Sequence, residues 1–251
     1  MKISFIIPRW PKESFWDVIA FKFPLLSTSL LAGLTPPHHQ IRIIDESLDE
    51  IDFNQDVDLV AITAITPLAP RGYEIAEEFR RRGKKVVMGG IHVSWLPEEA
   101  KAHSDSVTIG EADEVWIEIV EDAEKGHLKP FYRQNERTDL RRLPIPRRDL
   151  LPTKGYLFQN LIQTTRGCPY DCEFCSVTAL HGRSYRMRPI PEVEKEIQSL
   201  ERSRAYIFFV DDNLVGNLSH AKELLTMLSH YRLRWVSQGP IHVAEDEEMV
   251  S

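Results

Sequence analysis

The sequence predicts an α/β protein in which a doubly wound, Rossmann-like parallel sheet is followed by part of a β/α, TIM-like barrel. Short runs rich in valine and isoleucine alternate with helical segments from residue 2 to about residue 131. A proline-rich stretch follows, and the alternation then begins again near residue 160. We therefore expect a first domain over residues 1–135, a linker over 136–155 and a second domain over 156–251.

The first domain is predicted to contain five buried parallel strands, because five apolar runs are rich in β-branched residues and bounded by turn residues. Two other segments are predicted to be helices, and in the second of them Ile75 and Phe79 lie one turn apart with a polar face opposite. The predicted strands are Ile3–Pro8, Ile41–Asp45, Leu59–Thr66, Lys85–Met88 and Ser106–Ile109, and the predicted helices are Leu25–Leu34 and Gly72–Arg82.

The linker is predicted from three prolines, Pro144, Pro146 and Pro152, which fix φ and remove backbone donors. Beyond it, strands and helices alternate as they do at the opening of a β/α barrel. The predicted elements are the strand Leu161–Thr165, the helix Pro191–Glu201, the strand Ala205–Val210, the helix Leu218–Tyr231 and the strand Arg234–Gln238.

The composition is that of an ordinary soluble globular protein, with 42% hydrophobic and 27% charged residues. A formal charge of -7 gives no general attraction to phosphates, so a nucleic-acid partner is not predicted. The first apolar run stops at Pro8, too early for a secretory signal. The longest apolar stretch, Phe23–Leu34, falls short of the ~20 residues of a membrane span. We expect a cytoplasmic protein without a transmembrane segment, whose thiols stay reduced.

All three cysteines lie in one short run, Cys168, Cys172 and Cys175. An odd, tightly spaced set does not fit a disulfide framework, which needs pairs. Structural zinc closes a tetrahedron of four ligands, whereas this run supplies three. Three thiolates suit an iron–sulfur cluster and would leave one iron of a four-iron cube open. The run therefore predicts a metal centre.

His38 and His39 are not predicted to be metal ligands. They follow two prolines and are predicted to lie in a solvated loop.

The cysteine run resembles the signature of radical S-adenosylmethionine enzymes, with Phe174 before its last cysteine and Thr164–Gly167 ahead of its first. The resemblance implies that Cys168, Cys172 and Cys175 hold a 4Fe-4S cluster whose open iron is chelated by S-adenosylmethionine. One electron, from a donor such as flavodoxin or ferredoxin, then cleaves the sulfonium to methionine and a 5′-deoxyadenosyl radical. That radical abstracts hydrogen from a small-molecule substrate.

A polar segment follows the predicted strand that ends at residue 210. Its residues are common in strand-terminating turns, which is the simpler structural interpretation. The segment also resembles the Phe-Val-Asp-Asp-Asn stretch of cobalamin-associated radical S-adenosylmethionine proteins. That resemblance implies contacts with the amino or methionyl end of the cofactor. By the same analogy, Gln238 faces the ribose or carboxylate of the cofactor, and the ring of Phe174 lies against its adenine. The implied S-adenosylmethionine residues are Phe174, Asp211, Asp212, Asn213 and Gln238.

The segments Val86–His92, Leu96–Glu99 and Thr108–Glu111 resemble the cobalamin-binding domain that precedes many radical S-adenosylmethionine domains. In those proteins, loops after the third, fourth and fifth strands enclose the corrin or its nucleotide tail. The histidine loop that ligates cobalt in the mutases is replaced here by Pro8–Glu13. Paired glycines also serve ordinary tight turns, and a lone histidine is often a satisfied, partly buried residue. The implied cobalamin-binding residues are Thr63, Thr66, Gly89, Gly90, His92, Gly110 and Glu111.

The resemblance implies a cobalamin-dependent radical S-adenosylmethionine enzyme of the class B methylase and anaerobic cyclase type. The expected reaction is methyl transfer to an unactivated carbon or phosphorus. Cyclisation or another rearrangement is an alternative, as is a non-catalytic cobalamin- or cluster-binding module. Relatives continue through further strand–helix units, so we expect the chain to be a C-terminally truncated part of a longer enzyme. Radical methylthiotransferases are excluded, because their first domain needs three further cysteines.

Overall fold

The computed structural model describes most of the chain. Glu201, at the end of a predicted helix, and Ala205, at the start of a predicted strand, lie outside the described residues, as do residues 247–251. The described ranges are 1–18, 23–152, 154–200 and 206–246.

The α/β class is confirmed, and the chain divides into two compact units. The first unit comprises Met1–Thr138 and Leu143–Leu157. The second unit comprises Asp139–Arg142 and Phe158–Ser251. The domain and linker boundaries that the sequence suggested stay predictions. Within the described ranges, no helix combines the length and the apolar character that crossing a membrane requires.

The first unit is built on one six-stranded sheet with helices between its strands. Its elements are β1 Lys2–Ile7, α1 Phe15–Val18, α2 Leu26–Leu34, β2 Gln40–Asp45, β3 Leu59–Thr63, α3 Ala69–Arg81, β4 Lys85–Gly89, α4 Ile91–Trp95, α5 Pro97–His103, β5 Ser106–Ile109, α6 Trp116–Glu124 and β6 Phe131–Arg133.

The strand order is β2-β1-β3-β4-β5-β6, and every neighbouring pair is parallel. Ile6 of β1 pairs with Ile44 of β2 and with Ile62 of β3. Successive side chains of a strand point to opposite faces of the sheet, so the strands contribute to two separate cores. Ile6 packs in the core that contains Phe79 of α3, whereas Phe5 packs in the core that contains Trp116 of α6. The carboxyl ends of all six strands therefore lie along one edge of a sheet covered on both faces.

Several local features of the first unit differ from the sequence predictions. β3 ends at Thr63, because a short 3-10 helix, Thr66–Leu68, follows and its Pro67 cannot donate to a strand ladder. Pro97 starts a new helix and divides residues 91–103 into α4 and α5, neither of which was predicted. The loop predicted for His38 and His39 is present before β2 and His38 is exposed, but the prediction that His39 is solvated was wrong. Its ring is buried, and Nδ1 lies 3.1 Å from the Met1 amino group.

The second unit has a smaller parallel sheet of order β11-β10-β7 and a separate antiparallel pair, β8 with β9. Its described elements are β7 Asn160–Ile162, β8 Thr165–Arg166, α7 Ser176–His181, β9 Arg186–Met187, α8 Ile190–Gln198, β10 Tyr206–Phe209, α9 Leu218–Ser229 and β11 Arg234–Val236.

The core of the second unit joins β7 and β10 to the two longer helices. Ile162 and Phe209 pack with Val193 of α8 and Leu224 of α9. The single strand predicted over Leu161–Thr165 is instead interrupted, because β7 ends at Ile162 and β8 pairs with β9. The chain thus leaves the sheet just before the first cysteine.

Candidate cluster and cofactor sites

The three cysteines occupy one loop between β8 and α7, and all three are free thiols. Cys172 is exposed, whereas Cys168 and Cys175 are partly buried. The Cys175 amide donates to the Cys172 carbonyl at 3.0 Å, and Cys175 immediately precedes the first turn of α7. The loop therefore presents three soft sulfur ligands with one side open to solvent.

The sulfurs are not gathered as they would be around one ion. In the part of the chain that the structure describes, one group of three or more possible ligands has all its ligand atoms within 4.8 Å of one another. It consists of His38, His39 and Glu124, not of cysteines. Zinc holds thiolates at about 2.3 Å, which brings their sulfurs within roughly 4 Å of one another. A cluster binds each thiolate to a different iron, so it suits more widely spaced sulfurs.

Asp211, just after β10, holds the segment that leads into the cysteine loop. Its Oδ1 accepts hydrogen bonds from the Thr164 amide at 3.0 Å and the Thr164 hydroxyl at 2.8 Å. It also accepts from the Thr165 hydroxyl at 2.6 Å and from the Thr165 amide. Asp211 is fully buried, and its Oδ2 has no hydrogen-bond partner among the residues that the structure describes. Burial raises the pKa of this carboxyl to about 6, although the four hydrogen bonds act in the opposite direction.

The next two residues reach the cysteine loop itself. Asp212 is exposed, and its Oδ2 accepts a hydrogen bond from the Gly167 amide at 3.0 Å. Asn213 is buried, and its Nδ2 donates to Cys168 Sγ at 3.6 Å. Gly167 has φ +89°, and a Cβ there would lie 2.2 Å from the Ser184 carbonyl oxygen, so only glycine fits before the first cysteine.

A tyrosine and a glycine support this arrangement. The Tyr185 hydroxyl donates to the carbonyl oxygen of Asn213 at 2.8 Å. Gly216 lies beneath the same ring, since a Cβ on it would be 2.6 Å from Tyr185 Cε2 and 3.0 Å from Pro169 Cδ. Neither role could be predicted, because each depends on residues at least 28 positions apart meeting in the fold.

The five implied S-adenosylmethionine residues divide into two sets. Asp211, Asp212 and Asn213 bond to the approach to the cysteine loop or to the loop itself. Phe174 is 92% exposed, and Gln238 is exposed with its carbonyl accepting from the Leu214 amide at 3.1 Å. The first set, Asp211 to Asn213, therefore positions the cysteine loop. The side chains of the second set, Phe174 and Gln238, are accessible to a ligand.

The loops implied to bind cobalamin meet at the carboxyl edge of the first sheet. The Ala64 amide donates to the Gly89 carbonyl at 3.0 Å, joining the loops after β3 and β4. Gly90 has φ +104°, and a Cβ there would lie 2.7 Å from the Ala64 carbonyl oxygen and 3.0 Å from Thr63 Oγ1. The glycine requirement at residue 90 thus comes from packing between these loops.

His92 is buried and makes contacts through both ring nitrogens. Nδ1 lies 3.2 Å from Thr66 Oγ1, and Nε2 lies 3.1 Å from the Tyr73 hydroxyl and 3.3 Å from Glu99 Oε1. The Tyr73 hydroxyl also donates to Glu99 at 2.9 Å. This hydrogen bond, followed by that of His92, lowers the pKa of Glu99. The ring therefore joins the loop after β3 to α3 and α5. Sequence reasoning missed Tyr73 and included Glu99 only as the end of the segment Leu96–Glu99.

Gly110 and Glu111 follow β5 on the same edge. The Gly110 amide donates to Ser94 Oγ at 2.9 Å, and Glu111 Oε2 accepts from the Thr138 amide at 3.2 Å. Gly110 has φ +82°, and a Cβ there would meet no atom of the described residues within 4 Å. Open space beside Gly110 contrasts with the close packing at Gly90, so the edge has both a filled part and an accessible part.

Comparison with known proteins identifies relatives along nearly the whole chain, although no protein-family model matches it. The chain is 34% identical over 241 residues to the bacteriochlorophyllide d C-8(2)-methyltransferase of Chlorobaculum tepidum, covering 90% of this chain and 53% of that protein. It is 26% identical over 271 residues to the hopanoid C-2 methylase of Rhodopseudomonas palustris, covering 99% and 51%. The anaerobic magnesium-protoporphyrin IX monomethyl ester cyclase of Cereibacter sphaeroides is 27% identical over 252 residues, covering 84% and 40%.

These relatives are enzymes, two that transfer methyl groups and one cyclase. The chain is similar along most of its length to methylases and an anaerobic cyclase of the radical S-adenosylmethionine class. It spans about half the length of the curated relatives that it matches.

Proposed function

We propose that the second unit holds a 4Fe-4S cluster through Cys168, Cys172 and Cys175 and binds S-adenosylmethionine at its open iron. The observation that carries this proposal is a single loop of three free thiols, anchored from the end of β10. The donor set fits, because thiolates are the usual cluster ligands and a buried amide N–H is directed at one of the sulfurs. When bound, the cluster supplies the electron that cleaves the sulfonium.

The protein's own residues then have separable tasks around the cofactor. We assign the accessible side of the S-adenosylmethionine site to Phe174, Asp212 and Gln238, all exposed. Asp211 and Asn213 are buried, so in this conformation they act on the cofactor through Thr164, Thr165 and the cysteine loop. The aromatic face of Phe174 suits adenine stacking, and the Asp212 carboxylate suits an ammonium group.

For the first unit, we propose a Rossmann-like domain whose carboxyl edge binds cobalamin, followed in the second unit by the opening of a TIM-like barrel. Ligands of doubly wound sheets bind beyond the carboxyl ends of the strands, where the implied residues meet. Because both ring nitrogens of His92 have protein partners, we assign that residue to holding the loops, not to ligating cobalt. The residues proposed to bind cobalamin are Thr63, Thr66, Gly89, Gly90, Gly110 and Glu111, with His92 holding the loops that carry them.

For the whole protein, we propose cobalamin-dependent methyl transfer to an unactivated carbon or phosphorus of a small molecule, in a reducing cytoplasm. Two of the relatives described above are named for methyl transfer, which supports this reaction. An electron donor such as flavodoxin or ferredoxin would reduce the cluster. Cyclisation is the second candidate, and it is supported by the anaerobic cyclase relative.

The test is reductive cleavage of S-adenosylmethionine by the reconstituted chain. With dithionite as reductant, we expect 5′-deoxyadenosine and methionine from the wild-type chain and neither product from Cys172→Ala. Chromatography with mass detection measures both products. A chain that carries its full cluster and binds cobalamin but forms no 5′-deoxyadenosine would contradict the catalytic proposal. It would instead support a non-catalytic cobalamin- or cluster-binding module.

A further inference from the structure

The side chain of Asn213 has one orientation that satisfies its neighbours. Its Oδ1 accepts a hydrogen bond from the Val215 amide at 3.2 Å, which fixes the carboxamide plane. Nδ2 then lies on the Cys168 side, 3.6 Å from Sγ. The flipped amide would place Nδ2 against the Val215 N–H, so that two donors would face each other. The hydrogen-bond network therefore assigns an N–H donor to the sulfur of Cys168.

We propose that Asn213 is a positioning residue that donates an N–H···S hydrogen bond to the Cys168 thiolate and raises the reduction potential of the cluster. This inference rests on the cluster assigned under the proposed function. A hydrogen bond to a ligand sulfur stabilises the more electron-rich state, and such bonds set the potential of iron–sulfur centres. The bond is therefore stronger in the reduced cluster than in the oxidised one.

The surroundings of Asn213 hold this donor in place before any cluster is bound. The residue is 3% exposed, and its carbonyl oxygen accepts from the Tyr185 hydroxyl at 2.8 Å. Two positions earlier in the chain, Asp211 is fixed by two threonines. Because the amide is buried, it contacts a ligand sulfur and not solvent. The structure thus assigns Asn213 to the cluster, in contrast to the S-adenosylmethionine contact that the family resemblance implied.

The experiment measures the midpoint potential of the reconstituted cluster by redox titration, followed by electron paramagnetic resonance. Asn213→Asp keeps the shape and the acceptor for the Val215 amide but lacks the donor. Asn213→Leu lacks the donor without adding charge. Asn217→Asp is the matched control for Asn213→Asp. It adds the same negative charge to the same loop, between β10 and α9, and it keeps the acceptor for the His220 amide. We expect a lower potential in both Asn213 variants and an unchanged potential in the control.

The outcomes separate this inference from the proposal on which it rests. A wild-type chain that binds no cluster overturns the proposed function, and the inference with it. Full clusters with the wild-type potential in both Asn213 variants overturn the inference alone. If Asn213→Leu does not fold, Asn213→Asp is examined by pulsed resonance in D2O. Loss of an exchangeable deuteron coupling from the reduced cluster supports the N–H···S bond, and its persistence contradicts it.

Discussion

Thr164 is bonded twice to Asp211, through its amide at 3.0 Å and its hydroxyl at 2.8 Å, although the two residues are 47 positions apart. Thr165 makes the same pair of contacts with the same oxygen. One carboxylate at the end of β10 therefore fixes the backbone that leads into the cysteine loop. The position of the cysteines depends on this neighbouring strand as well as on their own loop.

Ionisation of Asp211 is expected to weaken the second unit. Burial raises the pKa of this carboxyl to about 6 from its ordinary 3.8, so the folded chain binds the proton more tightly than the unfolded chain. The stability gained from protonation is full below the ordinary value and is lost as pH rises through about 6. Asp211→Asn lacks this titration. Between pH 4 and 7, wild-type unfolding free energy should fall relative to the variant by about 2 kcal/mol. Urea denaturation at pH 4 and pH 7 measures the unfolding free energy of both proteins. A difference between wild type and variant that does not change with pH would contradict the expected titration of Asp211.

Gly216→Ala is expected to destabilise the second unit by about 1–3 kcal/mol. The added methyl group would lie 2.6 Å from Tyr185 Cε2 and 3.0 Å from Pro169 Cδ, so the ring that supports Asn213 must move. Gly239→Ala is the matched control, since its Cβ would meet Val215 at an ordinary 3.4 Å. Thermal unfolding followed by circular dichroism compares them. Equal melting temperatures for the two variants would show that the contact at Gly216 carries no strain.

Removal of one partner of the Arg188–Glu196 ion pair is expected to lower the unfolding free energy of the second unit strongly. Its Nη1 and Oε2 atoms are 2.6 Å apart, and both side chains are buried. Glu196→Gln leaves the guanidinium charge buried without its counter-charge, and the expected loss is about 3–5 kcal/mol of unfolding free energy. The exposed pair of Lys195 with Glu192 provides the control, because Lys195→Ala should cost less than about 1 kcal/mol. Similar losses of unfolding free energy in Glu196→Gln and Lys195→Ala would contradict the large effect expected for the buried pair.

Tyr73→Phe is expected to raise the pKa of Glu99 toward its ordinary value, because the Tyr73 hydroxyl is the main cause of its lowered pKa. A lowered carboxyl pKa stabilises the fold above the unfolded value, and this stability is lost as pH falls through the folded value. The variant should therefore lose less stability in acid. Carbon-13 resonance of the Glu99 carboxyl gives the titration directly. Tyr132→Phe, which removes a hydroxyl bonded to Asp122, should leave Glu99 unchanged.

Much of the first sheet could be predicted, because its β-branched runs are continuous and buried on both faces. Strands β1 to β5 begin within one residue of their predicted positions. β6, Phe131–Arg133, is too short to show a period. Helix α6 was missed although Trp116, Ile119 and Val120 have helical spacing and are buried.

The site was less predictable than the fold. The spacing of the cysteines indicated a cluster, since ligands that are close in sequence are close in space. The contact between Asn213 and Cys168 spans 45 positions and depends on how β10 packs beside β7. The same holds for His92, whose partner Tyr73 lies on α3. His39 was placed in solvent because two prolines precede it, whereas the Met1 amino group meets its ring in the fold.

The most direct test of the cluster assignment is anaerobic reconstitution with iron and sulfide in the presence of hydroxocobalamin, followed by desalting. Iron, sulfide and cobalt are then quantified per chain in the wild type and in Cys168→Ala, Cys172→Ala and Cys175→Ala. We predict about four irons and four sulfides with one cobalt in the wild type, and loss of the cluster absorbance in every cysteine variant. Full iron in any one of these variants, or a single tightly bound zinc in place of iron, would contradict the assignment.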